Sequence, residues 1–461
     1  AAHAKTVMDI ETKLAGASMT RVESRDPYAT YNKMALAALS KTAPSLNWNQ
    51  YLTKAGIPQN LDSVIVSQPK FIKQVNDILA KPDVEAVKAY LRWHLVHSMA
   101  PYLSSNIVNE NFAFSGTVLN GVKALEQRWK RVLDNTNNNI GEALGQEYVK
   151  VAFTPEAKDK ALEMVNNLKA ALKEKINTLD WMSAGTKEQA QHKLSTMVTK
   201  IGYPDKWRDY KGLNIDRNSY AKNVMNASEF EFKRMVNKLG KPIDRSEWLM
   251  TPPTVNAYYN PAMNEIVFPA GILQPPFFNA DADDAVNYGG MGAVIGHELT
   301  HGFDDQGRQF DADGNLKDWW TKEDAEKFKK KTEVVVKQFN GYQPLPGEYV
   351  NGSLTLGENI ADLGGLTIAY EAWKKSQEGK KEVGKIDGFT PEQRFFLGWA
   401  QVWRVNERPE STKQRLITDP HSPAMFRVNG PLSNMPEFYK AYNIQPGSKM
   451  MVADSLRASI W

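Results

Sequence analysis

Apolar residues recur at helical spacing through most of the first half of the chain, and short polar segments separate the runs. The spacing predicts helices over residues 82–97 and 157–179, the first of which begins with Pro82 and Asp83, residue types common at helix starts. The apolar stripes consist of Val84, Val87, Leu91 and Leu95 in the first helix and of Leu162, Val165, Leu168 and Leu172 in the second. This part of the chain is therefore predicted to be a helical scaffold.

The helical pattern stops near residues 201–204, and the following residues 205–214 are polar and typical of a loop. A further helix is predicted over residues 220–238. We place the boundary between two lobes at this break, so that residues 1–204 form a scaffold lobe and residues 205–461 form the second lobe.

Two short segments of the second lobe have the composition of strands. Residues 254–259 and 265–268 are rich in aromatic and β-branched side chains, and a turn-like segment at 260–264 separates them. The pattern predicts a small β-hairpin. Its edge strand could bind an extended peptide through main-chain hydrogen bonds.

Residues 289–304 contain the pattern His-Glu-x-x-His at His297, Glu298 and His301. Apolar residues at helical spacing favour a helix here, in which the two histidines lie one turn apart and direct both imidazoles at one ion. Glu298 then projects to the side, where it could hold a water molecule without being a ligand. The neighbouring glycines lower the helix propensity and could instead allow close packing.

A catalytic zinc ion needs a third protein ligand, and residues 356–365 offer one. Glu358 and Asp362 are four residues apart, so one helix face carries both carboxylates. Glu358 is the natural third ligand, whereas Asp362 can accept the other ring N–H of a ligand histidine. Asp304, one turn after His301, is a candidate for the same role on the second histidine.

Composition excludes several classes of protein. The 461 residues contain 57 Lys and Arg against 53 Asp and Glu, a net charge of +4 that gives no reason to expect a nucleic-acid partner. The chain has no cysteine, so disulfides and thiolate chemistry are excluded. It also has no apolar run long enough to predict a transmembrane segment.

Several segments together resemble the neprilysin family of zinc metallopeptidases (peptidase family M13), in its bacterial endopeptidase O branch. They are His-Glu-Leu-Thr-His-Gly-Phe-Asp-Asp at residues 297–305, Glu-Asn-Ile-Ala-Asp at 358–362, and the segments 255–259, 266–278 and 419–427. The resemblance implies a mainly α fold in which two helical lobes enclose a cleft, with a thermolysin-like catalytic lobe and a small hairpin or sheet beside the helix that binds zinc. It also implies one zinc ion per chain.

The resemblance further assigns residues to the substrate. Asn256 and Ala257 would hold its backbone, and an apolar pocket would take the residue after the cleaved bond. The pocket residues are Ile272, Phe277, Val294, Val402 and Trp403. Spacing alone favours ordinary core positions for them; the resemblance favours the pocket for Phe277 and Trp403 and leaves Ile272 open.

Two more residues receive roles from the resemblance alone. His421 would stabilise the oxyanion of the tetrahedral intermediate, and Arg427 would hold a substrate carbonyl and support the site. The implied activity is zinc-dependent endopeptidase cleavage of small peptides on the amino side of bulky apolar residues. Glu298 would act as general base and then as general acid, and Asp362 would assist catalysis.

The resemblance begins part-way into the family's peptidase unit, which predicts association with a separate N-terminal fragment. Two other functions stay open at this point: a zinc-free helical binding or adhesion module, and a different metallohydrolase such as an aminopeptidase. A degenerate module would have lost a ligand or the base, and both are present. The acidic motif that anchors a free amino terminus is not apparent in the sequence. The sequence favours the envelope or exterior of a bacterium without deciding the compartment.

Overall fold

The computed structural model describes residues 2–58, 60–381 and 383–461 and divides into two compact units. One unit combines the chain up to residue 135 with Asp209–Asp244, and the other combines Thr136–Arg208 with Arg245–Trp461. These limits differ from the predicted boundary at residue 204, because residues 136–208 pack in the same unit as the His-Glu-x-x-His segment. The functional division into a scaffold lobe and a catalytic lobe stays a prediction.

Helices dominate the first unit. They are α1 (Ala2–Ala17), α2 (Pro27–Thr30), α3 (Leu36–Thr42), α4 (Trp48–Lys54), α5 (Pro69–Ala80), α6 (Val84–Met99), α7 (Ser105–Asn111), the start of α8 (Arg128–Ala152) and, later in the chain, Tyr220–Val236. A π-helical segment, Phe112–Val118, and two 3₁₀ turns, Glu23–Arg25 and Ala100–Tyr102, complete the helical structure described here. Strands β1 (Lys33–Ala35) and β2 (Ser63–Ile65) pair antiparallel.

The second unit is also mainly helical. It contains the rest of α8, then α9 (Pro155–Thr178), α10 (Ala184–Thr196), α12 (Asp284–Asn287), α13 (Ala293–His301), α14 (Lys322–Asn340), α15 (Leu356–Ser376), α16 (Pro391–Val402), α17 (Pro409–Thr418), α18 (Ala424–Leu432) and α19 (Pro436–Tyr442). The label α11 belongs to Tyr220–Val236 of the first unit. A π-helical turn, Tyr288–Gly292, precedes α13, and 3₁₀ turns lie at Gly307–Gln309 and Asp454–Leu456. The mainly α fold class is thus confirmed. Among the described residues, no helix combines the length and apolar character that a membrane crossing requires.

A three-stranded sheet lies in the second unit. Strand β4 (Tyr258–Asn260) pairs antiparallel with β5 (Glu265–Pro269), which confirms the predicted hairpin although β4 is shorter than expected. Strand β3 (Val198–Gly202) pairs with β5 in parallel and was not predicted. All five residues of β5 are buried because it is the central strand.

The two predicted apolar stripes have different surroundings. On α9, Val165, Leu168 and Leu172 are fully buried, and only Leu162 of that stripe is exposed, at 42%. On α6, by contrast, Val84, Leu91 and Leu95 are exposed and Val87 is partly buried. Periodicity therefore located both helices but did not determine which stripe would be packed.

Helices α13 and α15 approach each other backbone to backbone. A Cβ added to Gly296 would lie 2.5 Å from the carbonyl oxygen of Gly365. A Cβ added to Gly365 would in turn collide with the backbone nitrogen of His297 and lie 2.7 Å from the carbonyl oxygen of Ala293. The glycines thus provide the close packing that the sequence suggested as their purpose. This approach brings the helix of Glu358 against the helix of the two histidines.

Replacing Gly365 with Ala is expected to destabilise the second unit by about 1–3 kcal/mol, since the added methyl group meets backbone atoms that cannot rotate away. Thermal unfolding followed by tryptophan fluorescence measures the change. Gly185→Ala is the matched control, because Gly185 lies in α10 with no atom within 4 Å of the added Cβ. Equal unfolding temperatures for the two variants would contradict the explanation.

Candidate metal centre

Helix α13 places His297 and His301 one turn apart, with their imidazole rings in an edge-to-face arrangement. The ring centroids are 4.5 Å apart, the planes are nearly perpendicular at 85°, and the two Nε2 atoms are separated by 3.0 Å. Both side chains are largely buried. The predicted pair of imidazoles therefore converges on one point.

A carboxylate holds the other nitrogen of each ring. Nδ1 of His297 lies 2.8 Å from Oδ1 of Asp362, and Nδ1 of His301 lies 2.7 Å from Oδ2 of Asp304. If each Nδ1 donates its proton to its carboxylate, both Nε2 atoms present lone pairs to the space between the rings. Two lone pairs at 3.0 Å repel each other unless a cation or a proton lies between them.

Glu358 on α15 brings its carboxylate to the same space. Its Oε2 lies 3.2 Å from Nε2 of His297 and 3.7 Å from Nε2 of His301, yet this buried oxygen has no well-directed hydrogen bond. Burial alone would raise the pKa of Glu358, but the adjacent His301 and His297 hold it well below its ordinary range. Two imidazole nitrogens and an ionised carboxylate oxygen are a donor set that suits zinc.

Glu298 lies beside this donor set and is buried. A carboxylate oxygen of Glu298 and the ring nitrogens of both histidines lie within 4.8 Å of one another. Burial raises the pKa of Glu298, while the neighbouring histidines act in the opposite direction. The side chain is thus near enough to exchange a proton with a group held at the metal centre, and its affinity for that proton is increased.

A buried ion pair supports His297 from behind. Arg427 donates two hydrogen bonds of 2.7 Å to the carboxylate of Asp362, which also contacts His297. The guanidinium lies 3.9 Å from the centroid of the Trp403 ring. Although burial alone would raise the pKa of Asp362, Arg427 keeps it below its ordinary range. Asp362 therefore stays an anion that can accept the proton of Nδ1.

His421 is the most exposed member of the site, with 40% of its side chain accessible. Its Nε2 lies 3.2 Å from Oε2 of Glu358, and its Nδ1 lies 2.7 Å from Oδ1 of Asp419. Burial alone would lower the pKa of His421, but the hydrogen bond to Asp419 and the nearby carboxylate of Glu358 raise it to about 9. The raised pKa favours the protonated ring, which can donate a hydrogen bond to an anion.

Replacing Asp419 with Asn is expected to lower the pH at which the His421 ring loses its proton. The anion that raises the pKa of His421 is removed, so the pKa should fall below about 9. NMR titration of the His421 ring in the variant and in the unmodified chain measures the shift. An unchanged titration would show that Asp419 does not set the charge of His421.

The predicted substrate-contacting residues lie in the same unit as the metal centre. The side chain of Asn256 is exposed and Ala257 is buried. Of the proposed pocket residues, Phe277 and Trp403 are partly exposed, whereas the other three belong to the buried core: Ile272, Val294 and Val402. Their contacts with substrate stay predictions.

Sequence reasoning assigned no role to several residues that hold the site together. Asp419 supports His421, and the Asp-x-His spacing was the signal available for it. Ser422 donates a 2.8 Å hydrogen bond to Asn359, which ties the segment after His421 to α15. Ser422 directly follows His421 in the chain, and Asn359 directly follows Glu358. Only the fold shows that Ser422 and Asn359 contact each other.

Comparison with known proteins identifies the family of the chain. Models of peptidase family M13 match residues 1–204 and 256–457. Endothelin-converting enzyme 1 of Mus musculus is 40% identical over 456 residues, which cover 96% of this chain and 59% of that enzyme. The chain thus spans less than two thirds of the length of this relative.

Solved structures give the same result. The crystal structure of Mycobacterium tuberculosis zinc metalloprotease Zmp1 in complex with an inhibitor is 43% identical, with a TM-score of 0.96 over 100% of this chain and 70% of that one. PepO from Lactobacillus rhamnosis is 31% identical, with a TM-score of 0.92 over 100% of this chain and 71% of that one. The family resemblance drawn from the motifs is confirmed: the chain belongs to peptidase family M13, the zinc metallopeptidases.

Proposed function

We propose that this chain is a zinc-dependent endopeptidase that hydrolyses small peptides on the amino side of bulky apolar residues. The observation that carries the proposal is the convergence of three atoms, Nε2 of His297, Nε2 of His301 and Oε2 of Glu358, on one buried space. Each imidazole is already held at Nδ1 by a carboxylate, so the lone pairs of the two Nε2 atoms would be directed at a single ion.

Zinc bound by these three residues would supply a Lewis acid that polarises the scissile carbonyl and lowers the pKa of water. Glu298 would accept the proton that the attacking water loses and pass it to the leaving amine. Its raised pKa suits the second of these steps, because a carboxylic acid that holds its proton more firmly can deliver it where the amine forms.

His421 and Arg427 would stabilise the charge that develops on the substrate. His421 is partly exposed and its raised pKa favours the protonated ring, which would donate a hydrogen bond to the oxyanion. Arg427 is fixed by Asp362 through two hydrogen bonds and by the face of Trp403, which leaves its remaining donors in a defined orientation for a substrate carbonyl. We assign these roles as part of the proposal.

The proposed preference rests on the apolar side chains around the start of α13. The carbonyl oxygen of Phe277 accepts a 2.9 Å hydrogen bond from the backbone of Met291, which fixes the segment of Phe277 to the turn before α13. Val402 packs near Gly290 in that same turn. Phe277 and Trp403 keep exposed surface that an apolar substrate side chain could cover.

The test combines metal analysis with cleavage of an internally quenched peptide that has an acetylated amino terminus and a single Phe or Leu. We expect about one zinc per chain, loss of cleavage after chelation, recovery on adding Zn²⁺, and little cleavage of a matched peptide with Gly at the apolar position. A folded chain that binds no zinc would overturn the proposal in favour of a binding module. Cleavage only of peptides with a free amino terminus would favour an aminopeptidase.

The comparisons give no support to the predicted association with an N-terminal fragment, and the proposal does not include it. The substrate in the test is therefore offered to the 461-residue chain alone.

A further inference from the structure

A lysine on α10 extends beneath the end of α13. Lys193 is 1% exposed, and its Nζ donates hydrogen bonds of 2.7 Å to the carbonyl oxygens of Gly302, Gly307 and Phe310. An ammonium group has three N–H donors, so all of them are used. One side chain thus fixes three points of the segment that follows α13.

This segment carries Asp304, the partner of His301. Oδ1 of Asp304 accepts hydrogen bonds from the backbone of Gln306 at 2.9 Å and of Gly307 at 2.7 Å, while Oδ2 contacts Nδ1 of His301. The carbonyl groups of Gly302 and Gly307, which Lys193 holds, lie on either side of Asp304 in the chain. A shift of this segment would move the carboxylate and, through it, the ring of His301.

Burying an ammonium group is costly, so it must contribute something that an apolar side chain cannot. Burial lowers the pKa of Lys193, whereas the negative charges of Asp304 and Asp311 and the three carbonyl acceptors favour the ammonium form. Met has a similar length and would fill the space without a desolvation penalty, but it has no donors for three carbonyl groups. The directed hydrogen bonds are therefore the contribution of Lys193.

The β-hairpin is joined to the same point. Asn264, in the turn between β4 and β5, donates a 3.0 Å hydrogen bond to the carbonyl oxygen of Lys193 and contacts the carbonyl oxygen of Ala312 at 3.4 Å. The ring of Tyr259 on β4 has its centroid 5.8 Å from Nζ of Lys193. The strand beside the site and the segment of Asp304 thus share one anchor.

We propose that Lys193 is a positioning residue for the metal centre, which holds Asp304 where it orients His301. Lys193 is not one of the proposed zinc ligands; its Nζ donates to backbone carbonyl groups. The inference rests on the proposed zinc site, and its test is separate from the test of activity because it measures the metal itself.

Zinc affinity of the full chain is measured by competition with a chromophoric chelator, together with the visible absorption spectrum of the Co²⁺-substituted protein. Lys193→Met is expected to weaken zinc binding at least about tenfold and to change the Co²⁺ spectrum, because His301 loses its fixed orientation. Lys169→Met is the matched control: Lys169 donates a 2.7 Å hydrogen bond to the carbonyl oxygen of Met197 and has no contact with residues 302–310 among its described hydrogen bonds. The control is expected to retain both the affinity and the spectrum.

Lys193→Gln is the second variant and serves if the Met variant does not fold. Its amide keeps two N–H donors, so fewer carbonyl groups are left without a partner. A folded Gln variant with weaker zinc binding supports the proposal. Zinc binding and Co²⁺ spectra equal to those of the unmodified chain in every folded variant would overturn it, as would failure of both variants to fold. Absence of zinc from the unmodified chain would instead overturn the proposed function.

Discussion

Glu298→Gln is expected to reduce kcat for peptide cleavage by about 10²–10⁴-fold while zinc stays bound. The amide has nearly the shape of the carboxylate but cannot accept and return a proton. Glu298 lies within 4.8 Å of ring nitrogens of His297 and His301, while Glu358 is the proposed third ligand. The measurement is kcat with the quenched peptide, alongside zinc content of the same preparation.

Glu323→Gln provides the matched control for this change. Glu323 is an exposed residue in the first turn of α14, where it pairs with Lys327 on the surface. We expect the control variant to keep full activity and full zinc content. If Glu298→Gln kept activity within about threefold of the unmodified chain, proton transfer by Glu298 would not be a catalytic step. If it lost zinc as well, Glu298 would be acting on the metal rather than on the proton.

The pairing of side chains in the candidate metal centre could be predicted because it depends on local spacing. In a helix, residues four apart lie on one face, so the two histidines of α13 and the two carboxylates of α15 were recognisable as pairs before the helices were known to meet. The glycines were ambiguous for the same reason. Their low helix propensity is a local property, whereas the crossing of Gly296 and Gly365 that explains them joins residues far apart in the chain.

What sequence could not predict depends on contacts between distant segments. Strand β3 pairs in parallel with β5 although more than 60 residues separate them, so no hairpin signal marks it. In the sequence Lys193 is indistinguishable from an ordinary polar residue of α10, because its three hydrogen-bond acceptors lie in the distant residues 302–310. The apolar spacing on α6 predicted the helix correctly, but three of the four residues of its stripe are exposed.

Arg427→Met is expected to lower the free energy of unfolding by about 3–5 kcal/mol, because it leaves Asp362 as a buried anion without its cation. In the folded chain Arg427 depresses the pKa of Asp362, so the ion pair stabilises the fold above pH of about 4 and ceases to do so as the pH falls through the depressed value. The difference between the variant and the unmodified chain should therefore be largest near neutral pH and shrink in acid. Thermal unfolding across this pH range measures it.

The double variant Asp362→Leu with Arg427→Met separates the stability of this ion pair from its effect on the metal. Removing both charges eliminates the uncompensated anion, so the unfolding free energy should recover to within about 1–2 kcal/mol of the unmodified chain. Zinc affinity of the double variant should be about 10–100-fold weaker than that of the unmodified chain, because Nδ1 of His297 no longer has a carboxylate to orient the ring. A double variant as unstable as Arg427→Met alone would rule out the buried charge as the cause. Recovery of both stability and zinc affinity would show that Asp362 does not position His297.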